Sequence, residues 1–333
     1  MISPDKKIMS RILDVFRKED GFIIFNHTNP DGDAVGSQIA LYLALKKAGK
    51  KAYMFSAEKV SPNYCFLPRV DEINTTLPEK GAFEIAIMLD SASPDRAFKG
   101  VAVDINKYKV IINIDHHVSN KEYGTLNWVV PGSSSTGELV YRLIKEAKWQ
   151  PDSEIGTCLY TAILTDTGGF RHRSTTAEAL KYASELVEAG AQPHAIARQV
   201  YASFPERRFR LLGKALGTLK TIMDGRAALM WVYTDFHSEF GTTVGDTDEF
   251  VEYPRAIKGV QVACLFKENV ANRSARVNLR SNNPERNVNR IASRFGGGGH
   301  TAAAACDIEG TREEMERKIL DAVGEELQVK DVS

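Results

Sequence analysis

Unbroken apolar runs of four or five residues punctuate the first half of the chain, separated by stretches with helical spacing. Phe22-Ile23-Ile24-Phe25, Ala52-Tyr53-Met54-Phe55, Ile85-Ala86-Ile87-Met88-Leu89 and Val110-Ile111-Ile112-Asn113-Ile114 read as strands. Met9, Ile12, Leu13 and Phe16 recur at helical spacing. Ala34 to Ala48 reads as a helix stopped by Gly49, and Ile155 to Leu164 as another that ends near Asp166. Ser135-Thr136-Gly137-Glu138 and Thr175-Thr176-Ala177-Glu178 both fit the capping box, in which a hydroxyl and a carboxylate three residues on satisfy free amides. Runs that are apolar throughout, rather than alternating, suit a parallel sheet covered on both faces.

The pattern changes after about Val187. Ala191 to Thr221 reads as helical connectors punctuated by Pro193 and Pro205. Ala227–Tyr233, Val260–Phe266 and Ser274–Arg280 then read as strands, some alternating in polarity, and Thr311 to Leu320 as a capped closing helix. The expected fold is α/β, an N-terminal parallel-sheet domain followed by a smaller α/β domain with a mixed sheet. The expected boundaries are 1–187 for the first domain, 188–221 for a helical linker and 222–330 for the second. No internal repeat or low-complexity stretch interrupts this plan, and only the last few residues read as disordered.

Composition narrows the function classes. At 333 residues the chain is long enough for two cores. Lys+Arg and Asp+Glu both number 43, so no overall charge commits the protein to nucleic acid or a membrane surface. Cys65, Cys158, Cys264 and Cys306 are widely spaced without a CxxC pair, which argues for a reducing compartment and against structural zinc. Charges at Asp5, Lys6 and Lys7 interrupt the N-terminus, so it does not read as a signal peptide, and no run approaches a transmembrane span. The expectation is a soluble cytoplasmic protein without membrane partners.

Chemistry concentrates where the strands end. His27-Thr28-Asn29-Pro30-Asp31-Gly32-Asp33 follows the first strand, Asp90 ends another, and Asp115-His116-His117 closes a third. Ligands of open parallel sheets collect outside the carboxyl ends of the strands, so these positions can converge. Taken singly each has an ordinary reading: Asp31-Gly32 as a turn, Asp33 as a helix cap, Asp90 as a loop acid, Asp166 as a helix terminus. Together they form a carboxylate and imidazole set whose like charges repel unless a cation sits among them. Oxygen ligands with one or two imidazoles suit Mn²⁺ or Mg²⁺. The carboxylates suffice for two ions sharing a bridge, the arrangement that clamps an in-line phosphoryl displacement.

The run Gly296-Gly297-Gly298-Gly299-His300 lets a backbone approach a ligand closely and turn amides toward an anion. Arg276, Asn278, Arg280 and Ser281 on the preceding strand extend this into a phosphate and nucleotide pocket. Residues 251–300 carry nine Lys/Arg against three acids, an excess that suits a short anionic substrate better than a long duplex. Arg286, Arg290 and Arg294, at helical spacing, also read as a solvated face. Arg171-His172-Arg173 reads either as a charged surface loop or as further substrate contacts.

In order and spacing, His27–Ser37, Asp90, Asp115-His116-His117 and Asp166 resemble the four motifs of the DHH phosphoesterase family, and Gly296–His300 resembles the signature of its DHHA1-type second domain. The likeness spans roughly His27 to Cys306, and the two-domain layout is similar to the nanoRNase and pAp-phosphatase subgroup. It implies two Mn²⁺ ions, one held by His27 and Asp31, the other by Asp33, His116 and Asp166, with Asp90 as bridge. It also implies that His117 faces the scissile phosphate, that Asp115 orients the imidazoles, and that a metal-bridging hydroxide attacks phosphorus. Asp90, Asp115 and His117 would then carry the catalysis, while Arg276, Asn278, Arg280, Ser281, Gly297, Gly298, Gly299 and His300 bind substrate. The implied activity is hydrolysis of short single-stranded RNA to mononucleotides and of 3′-phosphoadenosine 5′-phosphate to AMP, by a homodimer.

Alternatives remain open from the sequence. A phosphodiesterase for linear or cyclic dinucleotides shares every motif. A processive exonuclease would carry a further nucleic-acid-binding domain, and a pyrophosphatase does not explain Gly296–His300. A non-catalytic nucleotide-binding regulator would be marked by lost metal ligands, and none is lost. The chain departs from the family pattern at Thr301–Cys306, where alanines stand in place of a glycine near Ala305 and of polar residues before it.

Overall fold

The computed structural model describes residues 4–98, 101, 103–283 and 285–328. The chain divides into two compact units, Met1–Ser203 and Phe204–Ser333. The first comprises α1 (Pro4–Lys18), β1 (Gly21–Phe25), α2 (Gly32–Lys47), β2 (Lys51–Phe55), β3 (Ile73–Asn74), β4 (Ile85–Leu89), α3 (Pro94–Phe98), β5 (Val110–Asp115), β6 (Leu126–Val129), α4 (Thr136–Glu146), α5 (Ser153–Asp166), α6 (Ala177–Glu188) and α7 (Pro193–Tyr201). Its six strands are all parallel, in the order β3-β2-β1-β4-β5-β6. Phe22 and Ile24 of β1 enter the core on one face, Ile23 and Phe25 the core on the other. A strand buried on both sides has no reason to alternate, which is why these runs are apolar throughout. The strand order reverses between β1 and β4, the place where open sheets of this kind form a ligand crevice.

Helix α2 is buried along its length from Gly32 to Leu45 and packs antiparallel on α5. A Cβ on Gly36 would lie 2.4 Å from the Cys158 carbonyl, and one on Gly32 would meet Thr165 at 2.6 Å. Glycine at both positions therefore lets the start of α2 close against the end of α5. Edge strands β3 and β6 escape the sequence reading: β3 is two residues long, and in β6 only Leu126 and Trp128 turn inward. Both capping boxes need correction. Ser135 accepts from the Glu138 amide, but the Glu138 carboxylate turns to the amide and hydroxyl of Ser134. The second cap is Thr176, one residue later than its box predicts, accepting from the Ala179 amide.

The second unit comprises α8 (Glu206–Leu216), β7 (Lys220–Ile222), β8 (Ala227–Val232), α9 (Thr234–Phe240), α10 (Glu252–Arg255), β9 (Val262–Asn269), β10 (Ser274–Ser281), α11 (Val288–Ser293), β11 (Gly298–Gly299), β12 (Ala303–Glu309) and α12 (Arg312–Gln328). Its sheet runs β11-β12-β10-β9-β8-β7 and is mixed, with β8 and β9 parallel and the other pairs antiparallel. The helical reading of 191–221 holds for α7, which buries Ile196 and Val200 in the first unit, and for α8, which buries Leu211 in the second. It fails at Lys220 and Thr221, which enter β7. Helix α12 passes Leu320 and runs to Gln328, opened by a reciprocal Thr311–Glu314 box. Residues 329–333, expected to be disordered, lie outside the described residues. No helix among the described residues is long and apolar enough to cross a membrane.

Candidate active site

The ends of β1, β4 and β5 and the tips of α2 and α5 supply one side-chain cluster in the first unit. The His27 ring donates from Nδ1 to the Thr28 carbonyl at 2.8 Å, which turns Nε2 toward Asp90 Oδ2 at 3.3 Å and Asp31 Oδ1 at 3.9 Å. Asp31, rather than Asp33, caps α2, accepting from the amides of Asp33 and Ala34. Asp90 follows β4 with φ 54°, a left-handed conformation that costs a non-glycine residue roughly 1–3 kcal/mol and recurs at functional sites. Its Oδ1 faces His116 Nε2 at 3.6 Å, so each carboxylate oxygen addresses a different imidazole. His116 Nε2 also lies 3.4 Å from Asp166 Oδ2 and 3.9 Å from Asp33 Oδ2.

Two groups of three ligands emerge, His27-Asp31-Asp90 and Asp33-His116-Asp166, each with its donor atoms within 4.8 Å of one another. Asp115 and His117 join Asp90 and His116 in a further group. Within it, Asp115 Oδ1 accepts from His117 Nδ1 at 2.6 Å and from the amides of His116 and His117, while Asn120 donates to Oδ2. The sequence reading missed Asn120, and with it Tyr123 and Asn113, which together with Asn120 donate to the Ser91 carbonyl beside Asp90. The Asn120 side chain lies only three residues beyond His117, so a search for polar residues around the paired histidines would have found it.

The electrostatics of the cluster call for positive charge. Burial pushes Asp33 well up, reinforced by the charges of Asp90 and Asp166. Burial likewise moves Asp166 up to about 6. Burial opposes protonation of His27, but its hydrogen bond to Asp90 and the charge of Asp31 outweigh it and raise the imidazole to about 9. His116 is also held well above its ordinary value, because Asp166 and Asp90 overcome its burial. Asp90 is also penalised by burial, yet hydrogen bonds from His116 and His27 hold it well below the carboxylate range. Protons here stand where cations would, and exchanging them for divalent ions satisfies the same carboxylates. The donors are oxygen and imidazole with no thiolate, a set that fits hard or borderline divalent cations.

In the second unit, Arg276, Asn278 and Arg280 alternate onto one face of β10, while Ala275, Val277 and Leu279 fill the core on the other. Helix α8 packs over β8 on the polar side, and none of the apolar residues clustered there comes from β10 or β12. Arg276 pairs with Asp307 at 2.7 Å and Arg280 lies 3.4 Å from Glu252. Ser281 turns to the opposite face and donates to the Asn283 carbonyl. Gly298 and Gly299 form β11, and His300 opens a tight turn in which its amide donates to the Ala303 carbonyl. A Cβ on Gly297 or Gly299 would sit 2.2 or 2.4 Å from a carbonyl of β12, so packing by itself demands glycine there. Ala305 sits opposite Gly298 without positive φ, so the alanine found there introduces no backbone strain. Arg171 folds back to donate to the Gly168 carbonyl at 2.6 Å, and the His172 ring lies 3.4 Å from the Asp166 carbonyl.

Comparison with known proteins places these features in a family. The model for the N-terminal domain of the DHH family matches residues 21–163, and that for the DHHA1 domain matches residues 225–329. A Thermus thermophilus protein named bifunctional oligoribonuclease and PAP phosphatase NrnA is 33% identical over 322 residues, covering 96% of this chain and 94% of its own. The Bacillus subtilis protein of the same name is 29% identical over 295 residues, covering 87% and 90%. A crystal structure of an exopolyphosphatase-related protein from Bacteroides fragilis superposes with a TM-score of 0.89 at 28% identity over 96% of each chain.

Proposed function

The chain belongs to the DHH family of phosphoesterases, with a DHHA1 domain behind the DHH domain, and from that membership we propose that it hydrolyses short oligoribonucleotides to mononucleotides and 3′-phosphoadenosine 5′-phosphate to AMP. The observation that carries this reading is the pair of three-ligand groups meeting at Asp90, whose two oxygens face different imidazoles. In this reading His27 and Asp31 hold one Mn²⁺, Asp33, His116 and Asp166 hold the other, and Asp90 bridges them. When bound, two such ions lower the pKa of water to supply a nucleophile and neutralise the charge that builds on the phosphoryl oxygens.

The chain's own residues do the rest. Asp115 fixes the orientation of the His117 ring through Nδ1, and in this reading that ring faces the scissile phosphate. Arg276, Asn278 and Arg280, with Gly298, Gly299 and the His300 ring, bind the substrate's phosphate and base. Ser281, expected among them, is buried on the opposite face of β10, and the Gly297 amide donates to the Ala292 carbonyl, so both leave this set. Residence in the cytoplasm and a homodimeric state belong to the same proposal.

The test is a time course with labelled RNA of two, five and 24 nucleotides and with 3′-phosphoadenosine 5′-phosphate, each with Mn²⁺ or EDTA. Manganese-dependent release of mononucleotides from the short RNAs, together with formation of AMP, is the expected result. Turnover of the dinucleotide alone would replace it with a dinucleotide phosphodiesterase. Saturable nucleotide binding with no turnover at all would replace it with a regulator.

A further inference from the structure

Thr136, at the start of α4, contacts one carboxylate from each three-ligand group. Its amide donates to Asp33 Oδ2 at 2.7 Å, and its hydroxyl donates to Asp90 Oδ1 at 3.2 Å. The next amide, of Gly137, donates to Asp33 Oδ1 at 2.8 Å, so both oxygens of Asp33 are occupied from α4. Asp33 and Asp90 lie on separate elements that the sequence does not join locally. Thr136 is the residue whose backbone addresses one and whose side chain addresses the other.

The segment that carries Thr136 is itself tightly held. Ser133, Ser134, Ser135 and Thr136 are four consecutive hydroxyl residues, and all are buried. Ser135 caps α4, Ser134 is tied through its amide and hydroxyl to Glu138, and the Ser133 carbonyl lies 3.4 Å from His116 Nδ1. A Cβ on Gly137 would meet the Ala162 side chain at 2.4 Å, so glycine there lets the tip of α4 press against α5, the helix that ends in Asp166. A buried hydroxyl so fixed donates in one direction only, and the carboxylate it reaches loses freedom to rotate.

We infer that Thr136 is a positioning residue that sets the two ligand groups in register, its hydroxyl fixing the rotation of Asp90 while its amide fixes Asp33. The inference rests on the metal-centre reading given above. Groups that orient metal ligands in this way typically change metal affinity or activity by about 10–100-fold when removed.

The test compares Thr136→Val, which keeps shape and amide but deletes the hydroxyl, with Thr136→Ser, which restores it. Direct Mn²⁺ titration of the metal-free protein is read by the electron paramagnetic resonance signal of the free ion, and folding by circular dichroism. Thr136→Val should bind Mn²⁺ at least about tenfold more weakly, lower kcat and leave KM for a short RNA within about twofold, while Thr136→Ser stays near wild type. If the valine variant does not fold, Thr136→Ala takes its place with the same expectation. Wild-type affinity in the variant lacking the hydroxyl would overturn the inference. So would equal losses in the valine and serine variants, since packing rather than the hydroxyl would then be responsible. Because the titration needs no substrate, it decides Thr136 even if wild type turns over none of the RNAs. A wild type that binds no Mn²⁺ would overturn both readings.

Discussion

At His27, burial favours the neutral ring while Asp90 and Asp31 favour the cation, and the carboxylates prevail, lifting it to about 9. An unfolded imidazole titrates near 6.5. In the metal-free protein the stabilisation from this pair is therefore complete below that pH and lost as pH rises through about 9. A metal bound at Nε2 must displace that proton. Mn²⁺ binding near pH 7.5 should thus release protons, and the release should fade as pH passes 9; calorimetric titration in buffers of different ionisation enthalpy measures it, and a heat independent of buffer would sink the idea. Asp166 follows the same direction at lower pH for a different reason, since burial disfavours its charged form. Raised to about 6, it favours the fold while protonated, and that contribution disappears as pH climbs through 6. Asp166→Asn should accordingly raise the melting temperature of the metal-free protein above pH 7, by roughly 2 °C or more, and weaken Mn²⁺ binding by at least about tenfold. A lower melting temperature in EDTA would show that Asp166 is not a strained ligand. These residues were legible in the sequence because each closes or follows an apolar run; their protonation was not, since it depends on distances among residues far apart in the chain.

Among the elements, the glycine loop separates two demands that look alike in sequence. A methyl on Gly297 would collide with the Ala305 carbonyl at 2.2 Å, whereas one on Gly298 would find nothing nearer than Asn289 Oδ1 at 3.7 Å. Gly297→Ala should therefore lower the melting temperature by several degrees, in the manner of an overpacked core. Gly298→Ala should leave stability unchanged and raise KM for short RNA several-fold, if a substrate phosphate rests against that amide. An unaltered KM would remove Gly298 from the substrate site. The same limit applies to caps. Thr175-Thr176-Ala177-Glu178 announced a helix start correctly, but Thr176 rather than Thr175 caps it, because a hydroxyl alone suffices for an N-cap and the Ala179 amide meets that of Thr176. Helix α2, buried all round, has no polar face, so its sequence announced a helix ending at Gly49 without revealing its neighbours.

In the molecule as a whole, the two units have separate cores, so chemistry and recognition should respond separately to substitution. Asp90→Ala should abolish turnover, a loss of about 10³-fold or more, while binding of 3′-phosphoadenosine 5′-phosphate persists. His300→Ala should raise KM and leave Mn²⁺ affinity unchanged; an unchanged KM, or a loss of metal, would contradict the division of roles. The sequence by itself determined the α/β class, the strand ends that carry His27, Asp31, Asp33, Asp90 and Asp115-His116-His117, and the membership those motifs express, because buried strands and their flanking ligands are local patterns. Only the tertiary structure decided which ligands share a group, that both oxygens of Asp33 are held by amides 103 and 104 residues away, and that Thr136 reaches Asp90. Those contacts follow from the reversal of strand order between β1 and β4 and from α2 closing on α5 at Gly36. No local stretch of sequence encodes either one.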